Sequence, residues 1–159
     1  MSLVSVRRYF CCAVREKYLP KQEAPSWKNT KPFVPPLKGG HVIKVYDGDT
    51  ITIASALPFK DSPMYRWSVR LNRIDTPEMK SKDPELKKIA QKAQKVLSDL
   101  ILGKNIELTN VGTEKFGRVL ADIIFEGKNL NDWMLEQKLA YQYQGSTKLT
   151  EAQQLEILS

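Results

Sequence analysis

The stretch VYDGDTITI, residues 45–53, places two acids around a glycine between short runs of β-branched residues. Asp-Gly between alternating apolar residues predicts a β-hairpin, because glycine accepts the positive φ that tight hairpin turns use. The two strands are predicted over residues 41–46 and 50–54. A hairpin turn alone does not require both Asp47 and Asp49, so the pair of acids raises the question of a second role.

The rest of the chain alternates strand and helix patterns. Apolar and polar residues alternate after a Pro- and Ser-containing loop, and an apolar stripe runs between Asp83-Pro84, a typical helix start, and Gly103, a typical helix end. The further strands are predicted over 65–72, 105–111 and 119–125, and the helices over 84–102, 130–139 and 150–158. Five strands with a helix between the third and fourth predict an α+β fold, a five-stranded barrel of the oligonucleotide-binding type with about three helices.

The N-terminal 40 residues differ in composition from the rest. Residues 1–40 carry +6 of the formal net charge of +7, and residues 20–36 hold five of the nine prolines. They are predicted to form a basic, extended N-terminal arm, and residues 41–159 to form the folded domain. Because the domain is nearly neutral, its net charge does not indicate what it binds. No apolar run approaches the ~18 residues of a transmembrane span.

The role of the arm is open between three alternatives. Residues 2–15 contain three arginines and no acid, which is typical of a mitochondrial or other organelle transit segment. A disordered arm, or one that docks on a protein complex or a membrane, fits the same composition. Acylation of Cys11 or Cys12 is the third alternative. These two cysteines are adjacent and are the only ones, so no disulfide framework is expected and an intracellular location is predicted.

The scarcity of histidine limits the chemistry. His41 is the only histidine, whereas zinc sites need clustered His or Cys ligands and a serine triad needs a histidine base. Any hydrolysis would therefore depend on carboxylates, arginines and a hard metal ion.

Two further stretches combine an arginine with turn residues. RLNRIDTPEMK, residues 70–80, ends a predicted strand in Asp-Thr-Pro-Glu, and KFGRVLADI, residues 115–123, begins another. Each alone is typical of an ordinary turn or strand entry. Together with YDGDTI, in this order and spacing, they resemble the staphylococcal nuclease (thermonuclease) family over residues 41–143.

The resemblance implies a set of site residues. Two carboxylates and one backbone carbonyl would bind Ca²⁺, one glutamate would lie near the attacking water, and two arginines would bind phosphate. The implied metal ligands are Asp49, Asp75 and the carbonyl of Thr76, and the implied catalytic residues are Arg70, Glu78 and Arg118. Asp47 would support the metal site. Tyr141 and Tyr143 resemble base-stacking aromatics of the family, and the alternative for both is an ordinary place in the core.

The sequence also departs from the family pattern. Phe116 stands where many members have tyrosine, which removes a hydroxyl, and Lys138 replaces a glycine common at the end of the second helix. Residues 55–63 resemble an insertion.

The resemblance implies an endonuclease that depends on Ca²⁺ and hydrolyses DNA, RNA or both, with single strands favoured and 5′-hydroxyl and 3′-phosphate ends. The alternative is a non-catalytic module of the same fold, a binding or assembly subunit of a larger complex. The presence of every carboxylate and arginine favours the enzyme. The preference between DNA and RNA, the compartment and the oligomeric state stay open.

Overall fold

The sheet closes into a β-barrel because the strand at one edge also hydrogen-bonds to a strand near the other edge. In this computed structural model, which describes residues 24–114, 117–145 and 147–159, the elements are β1 Gly39–Val45, β2 Thr50–Ala56, β3 Met64–Leu71, β4 Ile74–Asp75, α1 Pro84–Ile101, β5 Asn105–Thr113, β6 Val119–Phe125, β7 Lys128–Asn129, α2 Leu130–Glu136, β8 Tyr141–Gln142 and α3 Glu151–Leu158. The sheet order is β3-β2-β1-β5-β6-β7 with an additional β3–β6 pairing. The five long strands and three helices confirm the predicted α+β barrel.

The closing pair positions the end of β3. Val69, Arg70 and Leu71 lie opposite Val119, Leu120 and Ala121 in parallel register. Val69 and Leu71 are fully buried in the barrel, as the alternation of apolar residues along this strand predicts. The side chain of Arg70, which lies between them in sequence, projects from the other face of the strand, next to the hairpin turn.

The bounds of helix α1 follow from its capping residues, and its buried face follows from its stripe of apolar residues. The side chain of Asp83 accepts hydrogen bonds from the backbone N–H groups of Glu85 and Leu86 at 2.8 and 3.0 Å, and Pro84 occupies the first turn. The buried face consists of Leu86, Ala90, Ala93, Leu97 and Ile101. Gly103 has a φ of +73° and follows the helix end, as predicted.

Helix α2 ends earlier than the apolar pattern predicts. It stops at Glu136 rather than at residue 139, and Lys138 adopts a left-handed φ of +53°. The N–H of Lys138 then bonds to the carbonyl of Leu135, and that of Leu139 to the carbonyl of Met134. A left-handed residue is the reason a glycine suits this position, and lysine costs about 1 kcal/mol there.

Three two-residue strands were not predicted, because they are too short to show a periodicity. One pair, β4 with β8, joins Ile74 to Gln142 and Asp75 to Tyr141. This pair fixes the second acidic turn, residues 75–78, against the segment that follows α2.

The described part of the N-terminal region divides between two compact units, with the boundary after Pro32. Residues 33–159 form one compact unit, which begins before residue 41 because β1 starts at Gly39 and Leu37 is buried in its core. In residues 24–32, Asn29 Oδ1 accepts a hydrogen bond from the N–H of Ser26. The predictions for residues 1–23, including Cys11 and Cys12, lie outside the described residues. Within the described ranges no helix is long and apolar enough to cross a bilayer.

Gly48 is required for a reason that differs from the expected one. Its φ lies outside the left-handed region, so the positive φ inferred from the Asp-Gly pair was wrong. A Cβ at this position would instead lie 2.8 Å from Cβ of Ala93 and 2.8 Å from Cγ2 of Thr76. Glycine is therefore needed because the hairpin turn lies directly against α1 and the second acidic turn.

Replacing Gly48 with alanine should lower the free energy of unfolding by about 1–3 kcal/mol, the usual range for overpacking a tight contact. Gly112→Ala is the matched control, because a Cβ there meets no atom within 4 Å and its φ is not left-handed. Urea unfolding of both variants measures the difference. An equal change in the two would show that the turn has room for a side chain.

Candidate active site

The first acidic turn is built by hydrogen bonds within the turn. Oδ1 of Asp47 accepts a hydrogen bond from the N–H of Asp49 at 3.1 Å, and the carbonyl of Thr50 accepts one from the N–H of Tyr46 at 2.9 Å. The carbonyl of Asp49 in turn accepts a hydrogen bond from the N–H of Leu71 at 2.8 Å. Asp47 thus holds the backbone of the turn, and the turn is fastened to the end of β3.

Asp49 points into the protein, where three donors contact its carboxylate. The hydroxyl of Thr50 donates to Oδ1 at 2.9 Å, the N–H of Thr76 donates to Oδ2 at 3.3 Å, and Nη2 of Arg70 lies 3.3 Å from Oδ2. The residue is only 6% exposed. The first turn therefore contacts the second one through this side chain.

The side chain of Arg70 connects the two acidic turns, because it contacts an aspartate in each of them. Its Nη2 donates to Oδ1 of Asp75 at 2.5 Å and lies near Asp49, while its Nη1 donates to the carbonyl oxygens of Ile74 and Leu71 at 2.9 and 3.3 Å. At 7% exposure, this guanidinium is a buried cation shared by two buried carboxylates. Its fork geometry lets one side chain fix both turns.

Tyr141 lies behind the site and not on its surface. The side chain is buried, and its hydroxyl donates to Oδ2 of Asp75 at 2.5 Å. Burial, followed by the hydrogen bond to Asp75, raises the pKa of Tyr141 well above its ordinary value. A buried ring does not stack on a base, so the structure favours the core alternative for Tyr141, with its hydroxyl in contact with Asp75.

Glu78 and Lys148 form an ion pair at the rim. Nζ of Lys148 donates to Oε1 of Glu78 at 2.7 Å and lies 3.3 Å from Oδ2 of Asp75. Partial burial lowers the pKa of Lys148, but the hydrogen bond to Glu78 and the charge of Asp75 outweigh this and raise the pKa above its ordinary value. The ammonium is therefore charged at neutral pH.

Arg118 is paired with an acid that the motif analysis did not single out. Its Nε donates to Oε2 of Glu114 at 2.6 Å, and its Nη2 donates to Oε1 at 2.9 Å. This bidentate hydrogen bond is the main cause that raises the pKa of Arg118. Gly117, with a φ of +79°, lies in the turn between them. Phe116, the other departure in this motif, lies outside the described residues.

A cleft of about 510 Å³ brings these groups together. Of the site residues predicted from sequence, the structure places eight on its wall and leaves out Tyr141. The predicted residues on the wall are Asp47, Asp49, Arg70, Asp75, Thr76, Glu78, Arg118 and Tyr143. The wall also contains four ionisable side chains that sequence reasoning missed, namely Tyr46, Lys80, Glu114 and Lys148.

A second cleft of about 680 Å³ adjoins the first and shares Arg70, Glu114 and Tyr143 with it. Leu120 and the segment from Tyr143 to Gly145 contribute to its lining. The guanidinium carbon of Arg70 lies 5.5 Å from the centre of the Tyr143 ring, a cation–π distance that holds this ring at the boundary of the two clefts.

The carboxylate of Asp49 is electrostatically costly. Burial is the main cause that raises its pKa to about 8; Arg70 opposes the shift, and the negative charges of Asp47 and Asp75 add to it. A single arginine therefore does not fully compensate this group, and a further cation near it would stabilise the ionised form.

The donors near Asp49 fit a hard cation better than a transition metal. Asp49 and Asp75 offer carboxylate oxygens on the wall of the cleft, and oxygen ligands are what Ca²⁺ prefers. In the described part of the chain, no three His, Cys, Asp or Glu side chains converge as a metal-binding group. A Ca²⁺ ion at these two carboxylates would therefore complete its shell with water or substrate oxygen atoms.

Comparison with known proteins gives the class to which this fold and cleft belong. Residues 68–158, more than half of the chain, match the family described as "Staphylococcal nuclease homologue". The chain therefore belongs to the staphylococcal nuclease family, as its motifs predict.

Two relatives carry the printed name "Uncharacterized endonuclease". One, from Haemophilus influenzae, is 34% identical over 102 residues, which cover 64% of this chain and 51% of the relative. The other, from Escherichia coli, is 26% identical over 106 residues, covering 66% of this chain and 61% of the relative. The chain thus spans between about half and three fifths of the length of these relatives.

Replacing Asp49 with asparagine should stabilise the protein in the absence of divalent cations. The amide keeps the shape and can still accept hydrogen bonds, but it removes a buried charge, so we expect a gain of about 1 kcal/mol or more near pH 8. Between about pH 4 and pH 8, Asp49 keeps its proton in the folded protein and has lost it in the unfolded chain. Parent stability therefore falls as pH rises through this window, and the advantage of the variant grows.

Thermal unfolding in chelator at pH 5, 6.5 and 8 measures this difference. Asp99→Asn is the control, because Asp99 is exposed and paired only with Lys95 one turn away, and its effect should stay within about 0.5 kcal/mol. A loss of stability in Asp49→Asn that is constant with pH would contradict the account.

Proposed function

We propose that the chain is a Ca²⁺-dependent phosphodiesterase that cleaves nucleic acid internally, with single-stranded DNA or RNA as substrate and 5′-hydroxyl and 3′-phosphate products. One observation carries the proposal: two buried carboxylates, a shared buried arginine, a second arginine and an exposed glutamate line the same cleft. The endonuclease names of two relatives support it.

The acids of the two turns would hold the ion. Asp49, Asp75 and the carbonyl of Thr76 would be its protein ligands, and Asp47 would keep the first turn in shape through its hydrogen bond to the Asp49 N–H. Bound Ca²⁺ would supply positive charge that polarises the phosphate and favours ionisation of a nearby water.

Arg70 and Arg118 would bind the phosphate. A phosphodiester presents one negative charge spread over two oxygens, as a carboxylate does, and a guanidinium can bind either with two parallel hydrogen bonds. Glu114 occupies the fork of Arg118 in this way. Substrate phosphate would replace Glu114 and gain further interaction as negative charge develops on its oxygens during attack.

Glu78 would orient the attacking water or accept its proton. Its side chain is 73% exposed and forms an ion pair with the half-exposed Lys148, so it can turn toward a water molecule at small cost. A carboxylate on the wall of the cleft can orient a water molecule, or accept its proton, within hydrogen-bond distance.

The second cleft would receive a nucleotide base. Tyr143 lies where the two clefts meet, and Leu120 adds an apolar contact in the second one. An aromatic ring stacks on any base with similar strength, so this contact would fix the strand without selecting a sequence.

Replacing Arg118 with lysine separates an enzyme from a non-catalytic module of the same fold. Lysine keeps the charge but loses the fork, so single-turnover cleavage of a single-stranded oligonucleotide in Ca²⁺ should slow by about 10²- to 10³-fold. Equilibrium binding of the same oligonucleotide should change by less than about threefold, because many contacts share the ground-state affinity.

Arg66→Lys is the matched control, since Arg66 lies exposed on β3 and should leave both measurements unchanged. A calcium-selective chelator should abolish cleavage by the parent. Absence of cleavage by the parent in Ca²⁺, with binding intact, would favour the module. Equal cleavage rates for the parent and Arg118→Lys would remove Arg118 from the reaction.

A further inference from the structure

Both carboxylate oxygens of Asp75 are already occupied by partners from this chain. Oδ1 accepts from Arg70 at 2.5 Å, and Oδ2 accepts from the Tyr141 hydroxyl at 2.5 Å and lies 3.3 Å from Nζ of Lys148. A cation that binds Asp75 must therefore share this carboxylate with three donors or displace one of them.

Lys148 is the partner that can leave. Arg70 and Tyr141 are buried, and each is held by the barrel or by the β4–β8 pair. The side chain of Lys148 is 48% exposed, and its ammonium sits on a flexible four-carbon stem. It can move into water while the other two contacts stay in place.

The position of Lys148 also weakens the binding of a divalent cation at Asp75. Its ammonium bridges Asp75 and Glu78 at 3.3 and 2.7 Å, so it already neutralises the negative charge that would attract an ion. Two cations within a few ångströms of the same carboxylate repel each other.

We propose that Lys148 is an internal competitor of the metal ion, an ammonium that occupies Asp75 and Glu78 until a divalent cation displaces it. The inference rests on the proposed function of the same cleft. Displacement would free Glu78 at the same moment, so that binding of the ion would release the side chain assigned to the attacking water.

Neighbouring contacts keep the effect of substituting Lys148 local. The hydroxyl of Ser81 donates to Oε1 of Glu151 at 2.9 Å, and Thr150 caps α3 through a reciprocal bond with Gln153. These contacts hold the segment after β8 next to the second acidic turn without Lys148.

The test is calorimetric titration of the full-length protein with CaCl₂ at fixed ionic strength and pH. Lys148→Met should bind Ca²⁺ about tenfold more tightly than the parent, which is ~1.4 kcal/mol. Lys80→Met is the matched control, because Lys80 lines the same cleft and its removal lowers the net charge equally. It should change the affinity less than threefold.

Lys148→Gln, which keeps a donor but no charge, should tighten binding in the same direction and serves if the methionine variant folds poorly. Unchanged affinity in the Lys148 variants, while the parent binds Ca²⁺ and cleaves, would overturn this inference alone. Equal tightening by Lys80→Met would also overturn it, since net charge would then be the cause. Failure of every variant to bind Ca²⁺ would overturn the proposed function together with it.

Discussion

The site depends on the buried guanidinium of Arg70. It contacts the carboxylates of Asp49 and Asp75 and the carbonyl oxygens at the end of β3 and in β4. The barrel supplies its position, because β3 pairs with β2 on one side and with β6 on the other. Without this cation, two buried carboxyl groups would lose the donor and counterion that they share, and ionising both would cost more free energy.

Arg70 does not remove the electrostatic cost of the site. The raised pKa of Asp49 shows that burial and the neighbouring acids outweigh one arginine. The chain adds Lys148 at Asp75 and keeps Glu114 on Arg118, so these acids and bases of the cleft have internal counterions. On our proposal, a divalent cation would replace the ammonium of Lys148, and a substrate phosphate would replace the carboxylate of Glu114.

The sequence was sufficient for the barrel and for the motif residues of the cleft. Strand alternation and the Asp83 cap are local signals, and the three motifs carry Arg70 and Arg118 in a recognisable order. The reason for Gly48 was not predictable, because its constraint comes from Ala93 on α1. Such a contact between distant segments leaves no trace in local spacing.

Lys148 was missed, and the role of Tyr141 stayed open, for the same reason. Lys148 meets Glu78 across 70 positions of the chain, and Tyr141 meets Asp75 across 66. A lysine in a polar segment and an aromatic residue after a helix have ordinary explanations until the fold is known. Glu114 is different: it directly precedes the KFGR motif, and an acid four residues before an arginine could have suggested the pair.

We propose that Arg70 organises the two acidic turns into a cation site. This can be tested with a crystal structure of the protein grown in millimolar Ca²⁺, with the ion located by its anomalous scattering. We expect one ion bonded to carboxylate oxygens of Asp49 and Asp75 and to the carbonyl of Thr76, at the usual Ca–O distances of about 2.3–2.6 Å, with Arg70 still paired to Asp75. An ion bound elsewhere, or no ion at these carboxylates, would contradict it.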